Sequence, residues 1–416
     1  MGRKLLPLLV GLAFASLGQA KDKPTNFVVF LTDDLGWGDL ACYGHSVIQT
    51  PNLDKFAKQG MRFTQSYSAC GVCSPSRSSI LTGRTPYRNG VWRWIPGGHQ
   101  VHLRTSEITS AELLKEKGYE TCHVGKCHLN GKFNSKDQPQ PDDHGFDHWM
   151  ATQNNAAPNH RNPRNFVRNG KEVGELEGYS APLVVEEAIR WLKKKRDPKK
   201  PFILYLAHTM MHTIIDASKD FRGTSDGGLY GDVVEEFDFE TGRLLDTIDE
   251  LNLRDNTIVI YTTDNGPWNQ PAYTNNKKGH PEGSIFWGEA GPLRNGKGSC
   301  YEGGSRAPCI VRWPGRVTAG KTSGALFATV DFMPTFASLA GFDVPTDRKI
   351  DGVDQTGLLL GTNKQGNRTN FYYQGNGVRQ GKWKYLVADQ KVYGYARDME
   401  RPVVEELYNR ERDIGE

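Results

Sequence analysis

Hydrophobic positions along the chain fall into two rhythms. Four apolar runs, within "NFVVFLTDDLGWGD", "GYETCHVGKCH", "PFILYLAHTMMH" and "NTIVIYTTDNG", do not alternate with polar residues. Such a run predicts a strand buried on both faces. Each closes on polar residues able to bind or react, the first stopping at Asp33 and Asp34. Between them, helical patterns cover Leu53 to Gln59, Ser110 to Lys117 with Gly118 as its stop, Ala181 to Lys195, and Val233 to Leu251. Strands alternating with helices predict an α/β fold. Its large, mostly parallel mixed sheet is flanked by helices on both faces, with ligands gathering beyond the carboxyl ends of the strands. From about Asp351 the rhythm changes to short strand-like pieces, "NFYYQGN", "GKWKYLV" and "VVEELYNR", which predict a small antiparallel sheet. The Gly/Asn/Pro-rich stretch from Gln270 to Gly298 lacks periodicity and reads as a loop long enough to be functional.

Composition narrows the class. The 416 residues suffice for a large domain with its own core plus a small one. With Lys+Arg 52 against Asp+Glu 48, the net charge of +4 gives no reason to expect nucleic acid or an anionic membrane as partner. Any preference for anions must be local. Residues 1–20, "MGRKLLPLLVGLAFASLGQA", have a basic start, a short apolar run and a small-residue end, the pattern of a secretory signal peptide. No later segment is long enough for a membrane span, so the mature chain is expected to be exported, periplasmic or secreted. The chain then divides into residues 21–345, a large unit, and 346–416, a small α+β subdomain that is either complete or truncated at Glu416. Seven cysteines in an exported chain permit disulfides, but the number is odd and the spacing matches no zinc pattern. One is left over for chemistry; the other six are disulfides or buried thiols.

Candidate chemistry gathers at the strand ends. Asp33-Asp34 and Asp264-Asn265 both follow apolar strands, and a parallel sheet would bring their oxygens together. An all-oxygen set of this kind suits Ca²⁺ or Mg²⁺. Either pair alone reads as an ordinary turn; two pairs at equivalent strand ends read as a metal site. In "CSPSRSSILTG", Pro75 suits the first turn of a helix and Gly83 its end, so Ser74 to Thr82 is predicted helical with its positive end at Cys73. Arg77, one turn in, adds a planar donor fork for an oxyanion. Lys126 and His128 in "GKCH", His212 in "HTMMHT" and Lys297 in "RNGKGSCYEGG" fall at the same edge. Singly, each reads as a surface lysine or a core histidine; together they can bind a tetrahedral anion and move protons.

These residues resemble the type I, formylglycine-dependent sulfatases of the alkaline phosphatase superfamily, in an arylsulfatase-like, carbohydrate-directed form. Cys73-Ser74-Pro75-Ser76-Arg77 with Thr82-Gly83 resembles the signature C-S-P-S-R-x4-T-G. "FLTDDLGWGDL", "HVGKCHL", "TDNG" and "GKGSCYEGGSRAPCIVRWPG" resemble further family stretches, and together the matches run from about residue 25 to 345. The resemblance implies that a separate maturation enzyme oxidises Cys73 to Cα-formylglycine, whose hydrate is the nucleophile. It implies that Asp33, Asp34, Asp264 and Asn265 hold Ca²⁺ or Mg²⁺ together with residue 73. Arg77 would hold the hydrate, and Lys126 and Lys297 would bind the sulfate oxygens. His212 would protonate the leaving oxygen, although His208 competes for that assignment, and His128 would help to expel sulfate.

Specificity rests with the leaving group. Trp92, Arg93 and Trp94 in "GVWRWIPGGH" and Asn154, Asn155, His160 and Arg161 in "ATQNNAAPNHRNP" are the candidate readers. Tryptophan faces stack on sugars and the polar side chains read hydroxyls, which favours a sulfated carbohydrate; core filling is the other explanation for the tryptophans. Two rival functions remain open at this level. One is a phosphate or phosphonate ester hydrolase of the same superfamily, and the other a non-catalytic carbohydrate binder with an unmodified Cys73.

Overall fold

The computed structural model describes residues 23–269, 288–388 and 404–416. The export signal read at residues 1–20 lies outside them, as does 270–287 of the aperiodic stretch. The large sheet is built from β1 (Asn26–Thr32), β2 (Met61–Tyr67), β3 (Glu120–Lys126), β4 (His148–Thr152), β5 (Val167–Arg168), β6 (Lys171–Glu172), β7 (Phe202–Ala207), β8 (Thr257–Thr263), β9 (Arg306–Arg312), β10 (Lys321–Ser323) and β11 (Phe327–Ala328). Its order is β10-β2-β9-β8-β1-β7-β3-β4-β5-β6, with β11 also paired to β2. Strands β8, β1, β7, β3 and β4 are parallel, whereas β9 runs antiparallel between β8 and β2. The sheet is therefore the mixed, mostly parallel one expected.

The helices are α1 (Pro51–Gln59), α2 (Cys73–Thr82), α3 (Pro86–Asn89), α4 (Ser110–Glu116), α5 (Ser180–Lys194), α6 (Gly228–Glu250), α7 (Glu302–Ser305), α8 (Phe332–Ala340) and α9 (Thr356–Leu359). Two differ usefully from the periodicity. Helix α2 begins at Cys73 itself, one residue before the predicted start. Helix α6 begins five residues before Val233, because Asp232 inside its first turns accepts the backbone N–H groups of Gly223, Thr224 and Ser225 and ties the entering loop to it.

Why β1 reads as an unbroken apolar run is visible in the packing. Val28 and Phe30 join one core with Val184, Val185 and Phe237 of α5 and α6. Phe27, Val29 and Leu31 join another, with Ile80, Leu81, Leu114 and Phe336 of α2, α4 and α8. Each fully buried side chain of this size stabilises the fold by roughly 1.5–3 kcal/mol, so polar alternation on either face would be costly.

At the other end of the chain, β12 (Asn370–Tyr373), β13 (Gly377–Gln380), β14 (Trp383–Ala388) and β15 (Val404–Asn409) form a four-stranded antiparallel sheet. Phe371, Tyr373 and Leu386 pack it against Tyr67, Ala69, Tyr301 and Ala328 of the large unit. Beneath that apolar layer lies a buried charge cluster. The Glu302 carboxylate accepts the hydroxyls of Tyr67 and Tyr373 at 2.6 Å, and sits 3.2 to 3.4 Å from Arg410, Lys384 and Arg306.

Candidate active site

Register creates the site. Thr32 lies opposite Thr263, the last residues of β1 and β8, so Asp33-Asp34 and Asp264-Asn265 leave the sheet side by side. Helix α2 brings Cys73 to the same point: one ligand atom each from Asp33, Asp34, Cys73 and Asp264 lies within 4.8 Å of the others, all buried. The Cys73 Sγ is 3.4 Å from Asp33 Oδ1. Strand β3 delivers Lys126 through Gly125, whose φ of 103° suits glycine and whose Cβ, if present, would stand 1.9 Å from the Ala207 carbonyl oxygen.

Around the carboxylates stand three cations. Arg77 is buried and donates from Nε at 2.8 Å to Asp264 Oδ2, from which its Nη2 lies 2.7 Å; Nη1 donates to the Lys126 carbonyl at 2.8 Å. Lys126 Nζ donates to Asp33 Oδ2 and Lys297 Nζ to Asp34 Oδ2, both at 2.6 Å. Formally three negative charges meet three positive ones. Burial raises the Asp33 pKa, but Lys126, Arg77 and Lys297 outweigh it and hold Asp33 well below the usual range. Burial and the nearby Asp33 charge push Asp264 up to about 7, against the pull of Arg77. Burial also raises Asp34, opposed by Lys297. The Cys73 thiol is raised by burial and by Asp33, so it is held protonated and is a poor nucleophile as it stands.

The donor set fits a hard divalent cation. Three carboxylates are buried together, and Asn265, whose Nδ2 donates to Asp34 Oδ1 at 2.7 Å, keeps a buried Oδ1 with no hydrogen-bond partner among the described residues. Oxygen-only ligation of this kind is what Ca²⁺ or Mg²⁺ prefers. A divalent ion added to a balanced set leaves the site net positive and ready for an anion.

Three histidines have very different settings. His212 Nε2 is 3.7 Å from Asp34 Oδ2, and its Nδ1 is 2.6 Å from Asn155 Nδ2. The Asn155 Oδ1 accepts from Lys126 at 3.4 Å, which turns the amide so that its nitrogen faces the imidazole. Nδ1 also lies 2.9 Å from the Thr213 carbonyl oxygen, so two polar groups hold the ring at that nitrogen and leave Nε2 facing the site. Burial, Lys297 and Lys126 hold the His212 pKa well below its ordinary value, so the ring is neutral before an anion enters. His208, the other histidine in "AHTMMHT", instead stacks on Phe30 and packs edge-on to Phe237 in the core. His128 has Nε2 3.0 Å from the Ile95 carbonyl and Nδ1 without a hydrogen-bond partner among the described residues.

Among the leaving-group candidates the structure divides the set. Trp92 is exposed with the Arg93 guanidinium 5.7 Å from its ring, whereas Trp94 packs edge-on to His128. Asn155 faces Lys126 and His212, while Asn154 is half-buried and Arg161 is exposed. His160 corrects the sequence reading: it is buried, with one ring nitrogen 2.7 Å from Ser180 Oγ and the other 3.0 Å from the His212 carbonyl. Both nitrogens are engaged, so it braces the His212 backbone rather than facing a ligand. Trp268 was not foreseen. Its ring packs edge-on to His212 at 5.1 Å, and Lys297 Nζ lies 4.4 Å from its centre. A lone aromatic in the polar "DNGPWNQ" was the available signal. All seven cysteines are free thiols, so the permitted disulfides are not formed in the structure.

A buried oxygen-rich cluster at a parallel sheet's carboxyl edge, ringed by lysines and histidines, defines a hydrolase of tetrahedral anionic esters. Comparison with known proteins makes the class specific. The sulfatase family model matches residues 25–342, and a model described as N-sulphoglucosamine sulphohydrolase, C-terminal, matches residues 295–416. The chain belongs to the sulfatase family and is a sulfuric ester hydrolase. It is 37% identical over 393 residues to the N-acetylgalactosamine-6-sulfatase of Canis lupus familiaris, covering 89% of this chain and 72% of that one. Among solved structures, Ps i-CgsB in complex with k-i-k-neocarrahexaose superposes with a TM-score of 0.79 at 27% identity, over 95% of this chain and 88% of that one. The PsFucS1 sulfatase from Pseudoalteromonas sp. does so with a TM-score of 0.79 at 26% identity, over 94% and 85%. Among the described residues no helix is long and apolar enough to cross a membrane.

Proposed function

We propose that the chain removes sulfate from a sulfated carbohydrate, using residue 73 after its oxidation to formylglycine by a maturation enzyme, in an exported, periplasmic or secreted setting. The observation that carries this reading is the convergence of Asp33, Asp34 and Asp264 on Cys73 at the start of α2, with Asn265 bonded to Asp34 and with Lys126, Lys297 and His212 around them. Carbohydrate is supported by a relative named N-acetylgalactosamine-6-sulfatase and by a structural neighbour solved in complex with k-i-k-neocarrahexaose.

Asp33, Asp34, Asp264 and Asn265 would hold Ca²⁺ or Mg²⁺. When bound, the ion supplies Lewis-acid charge at the sulfate, and the formylglycine hydrate supplies a nucleophile with a second hydroxyl through which sulfate is later expelled. The protein's own groups do the rest. Arg77, clamped by Asp264 and the Lys126 carbonyl, fixes the geometry at the foot of α2. Lys126 and Lys297 are flexible point charges already gathered at the carboxylates, and they turn to the non-bridging sulfate oxygens. His212, hydrogen-bonded at Nδ1, presents Nε2–H to the ester oxygen and protonates the departing alcohol. A sulfate ester between the lysines opposes the field that keeps His212 neutral, so proton-donating power arrives with the substrate. His128, with its free Nδ1, takes the proton released when sulfate leaves.

The test uses protein made with a formylglycine-generating system. A peptide mass spectrum across residue 73 is paired with sulfate release from sulfated sugars, before and after exhaustive chelation. The reading expects an aldehyde mass at residue 73, and sulfate release lost on chelation and restored by Ca²⁺. An unmodified thiol despite active maturation, or full activity after chelation, overturns it.

A further inference from the structure

A cavity of about 560 Å³ opens where α3 and the segment from Lys349 to Val353 meet the edge of the antiparallel sheet. It lies within the size range of small-ligand sites. None of the residues assigned above to catalysis or to the leaving group lines it. Its rim carries two tyrosines that the fold does not bury, Tyr87 at 53% and Tyr372 at 57% exposure. Strand alternation explains Tyr372: Phe371 and Tyr373 on either side of it point into the core. Tyr87 is held by its neighbour. The backbone of Gly375, with φ of 83°, approaches so closely that a Cβ there would stand 2.9 Å from the ring. A ring backed by main chain, with half its surface in solvent, is a rigid stacking platform.

The polar groups are equally particular. Arg88 donates from Nε to Asp351 Oδ1 at 2.8 Å, which fixes its guanidinium on the wall. Lys349 is exposed and has no hydrogen bond or ion pair among the described residues, so none of them neutralises its charge. Asn370 adds an amide. Flat aromatic faces, an amide and an unneutralised cation are the chemistry that recognises a pyranose ring bearing an anionic group. We propose that this cavity is an accessory site for a sulfated saccharide unit that is not the one being hydrolysed; the inference rests on the carbohydrate reading above. Its floor touches the catalytic loops. Ala69 lies on the segment leading to Cys73, and Gln374 donates through Nε2 to the carbonyl of Ser299, two residues after Lys297.

The experiment is isothermal titration of a panel of sulfated hexasaccharides into Cys73→Ala protein, which binds without turnover. The expected result is two saccharide sites for at least one member, reduced to one in the Cys73→Ala, Tyr87→Ala, Lys349→Ala protein. The exposed Lys349→Glu change, which does not threaten folding, is expected to weaken the second site at least tenfold. In the matured enzyme it should leave turnover of nitrophenyl sulfate within twofold of wild type. A single site throughout the panel, or two sites of unchanged affinity in both variants, overturns the proposal. Failure of the carbohydrate reading is seen separately, as no sulfate release from any sugar by matured wild-type protein.

Discussion

Replacing His212 by alanine removes one imidazole from a pocket that otherwise keeps its shape. Asn155 retains its hydrogen bond to the Thr213 carbonyl, and His160 still holds the residue 212 carbonyl. What is lost is the Nε2–H aimed at the ester oxygen. General acid catalysis of this type contributes about 10²–10⁴-fold. At 1.36 kcal/mol per decade that is about 2.7–5.4 kcal/mol of barrier. The whole of it should appear with an alkyl sulfate, whose alkoxide leaves badly without a proton. A nitrophenolate needs no proton, so with nitrophenyl sulfate the loss should stay under about tenfold. The assay is kcat/KM of wild type and variant over a series of leaving groups of graded acidity, with residue 73 confirmed as the aldehyde in both proteins. The variant should show a steeper dependence on leaving-group acidity. Equal losses on alkyl and nitrophenyl substrates would refute the reasoning and assign His212 to binding.

Three further outcomes follow from the same geometry. In Asn155→Ala the imidazole loses one of the two groups that hold it at Nδ1; one net hydrogen bond of about 1 kcal/mol predicts a fall of roughly fivefold in kcat on alkyl sulfates and little change with nitrophenyl sulfate. Lys384→Met removes one of three cations from the fully buried Glu302, and breaking such a pair predicts a loss of about 3 kcal/mol, read as a lower Tm and faster proteolysis of the antiparallel sheet. For Glu187, burial would raise the pKa, but hydrogen bonds from His148, Arg168 and Arg190 bring it down to about 2. A folded-state pKa below the unfolded value of about 4.3 stabilises the protein above that pH, and the gain disappears as pH falls towards 2. The Tm advantage of wild type over Glu187→Gln should therefore be full at pH 6 and almost gone at pH 2; a pH-independent difference would contradict the assignment.

What the sequence discloses and what it hides follow from how each residue acts. Asp33, Asp34, Asp264 and Asn265 were legible because a strand buried on both faces must stop where its polar residues begin, and parallel strands stop along one edge. Cys73 was legible through local chemistry, Pro75 and Gly83 marking the helix it begins. The antiparallel β9 was harder to place: "RAPCIVR" reads as a buried strand of either direction, and only its insertion between β8 and β2 sets the direction. His160 and Asn155 sit in one polar loop and look alike in sequence, yet one is sealed between Ser180 and the His212 carbonyl and the other faces Lys126 and His212. No periodicity governs that loop, so which side chain turns inward is decided by contacts with residues some fifty positions away. The same holds for Trp268, whose partners His212 and Lys297 come from separate stretches. The residues that hold charge at a strand's end are thus written locally, while those that orient His212 depend on three loops closing together. Substitutions in the second group should consequently alter proton transfer while leaving the carboxylate cluster intact, which is the separation that the leaving-group series measures.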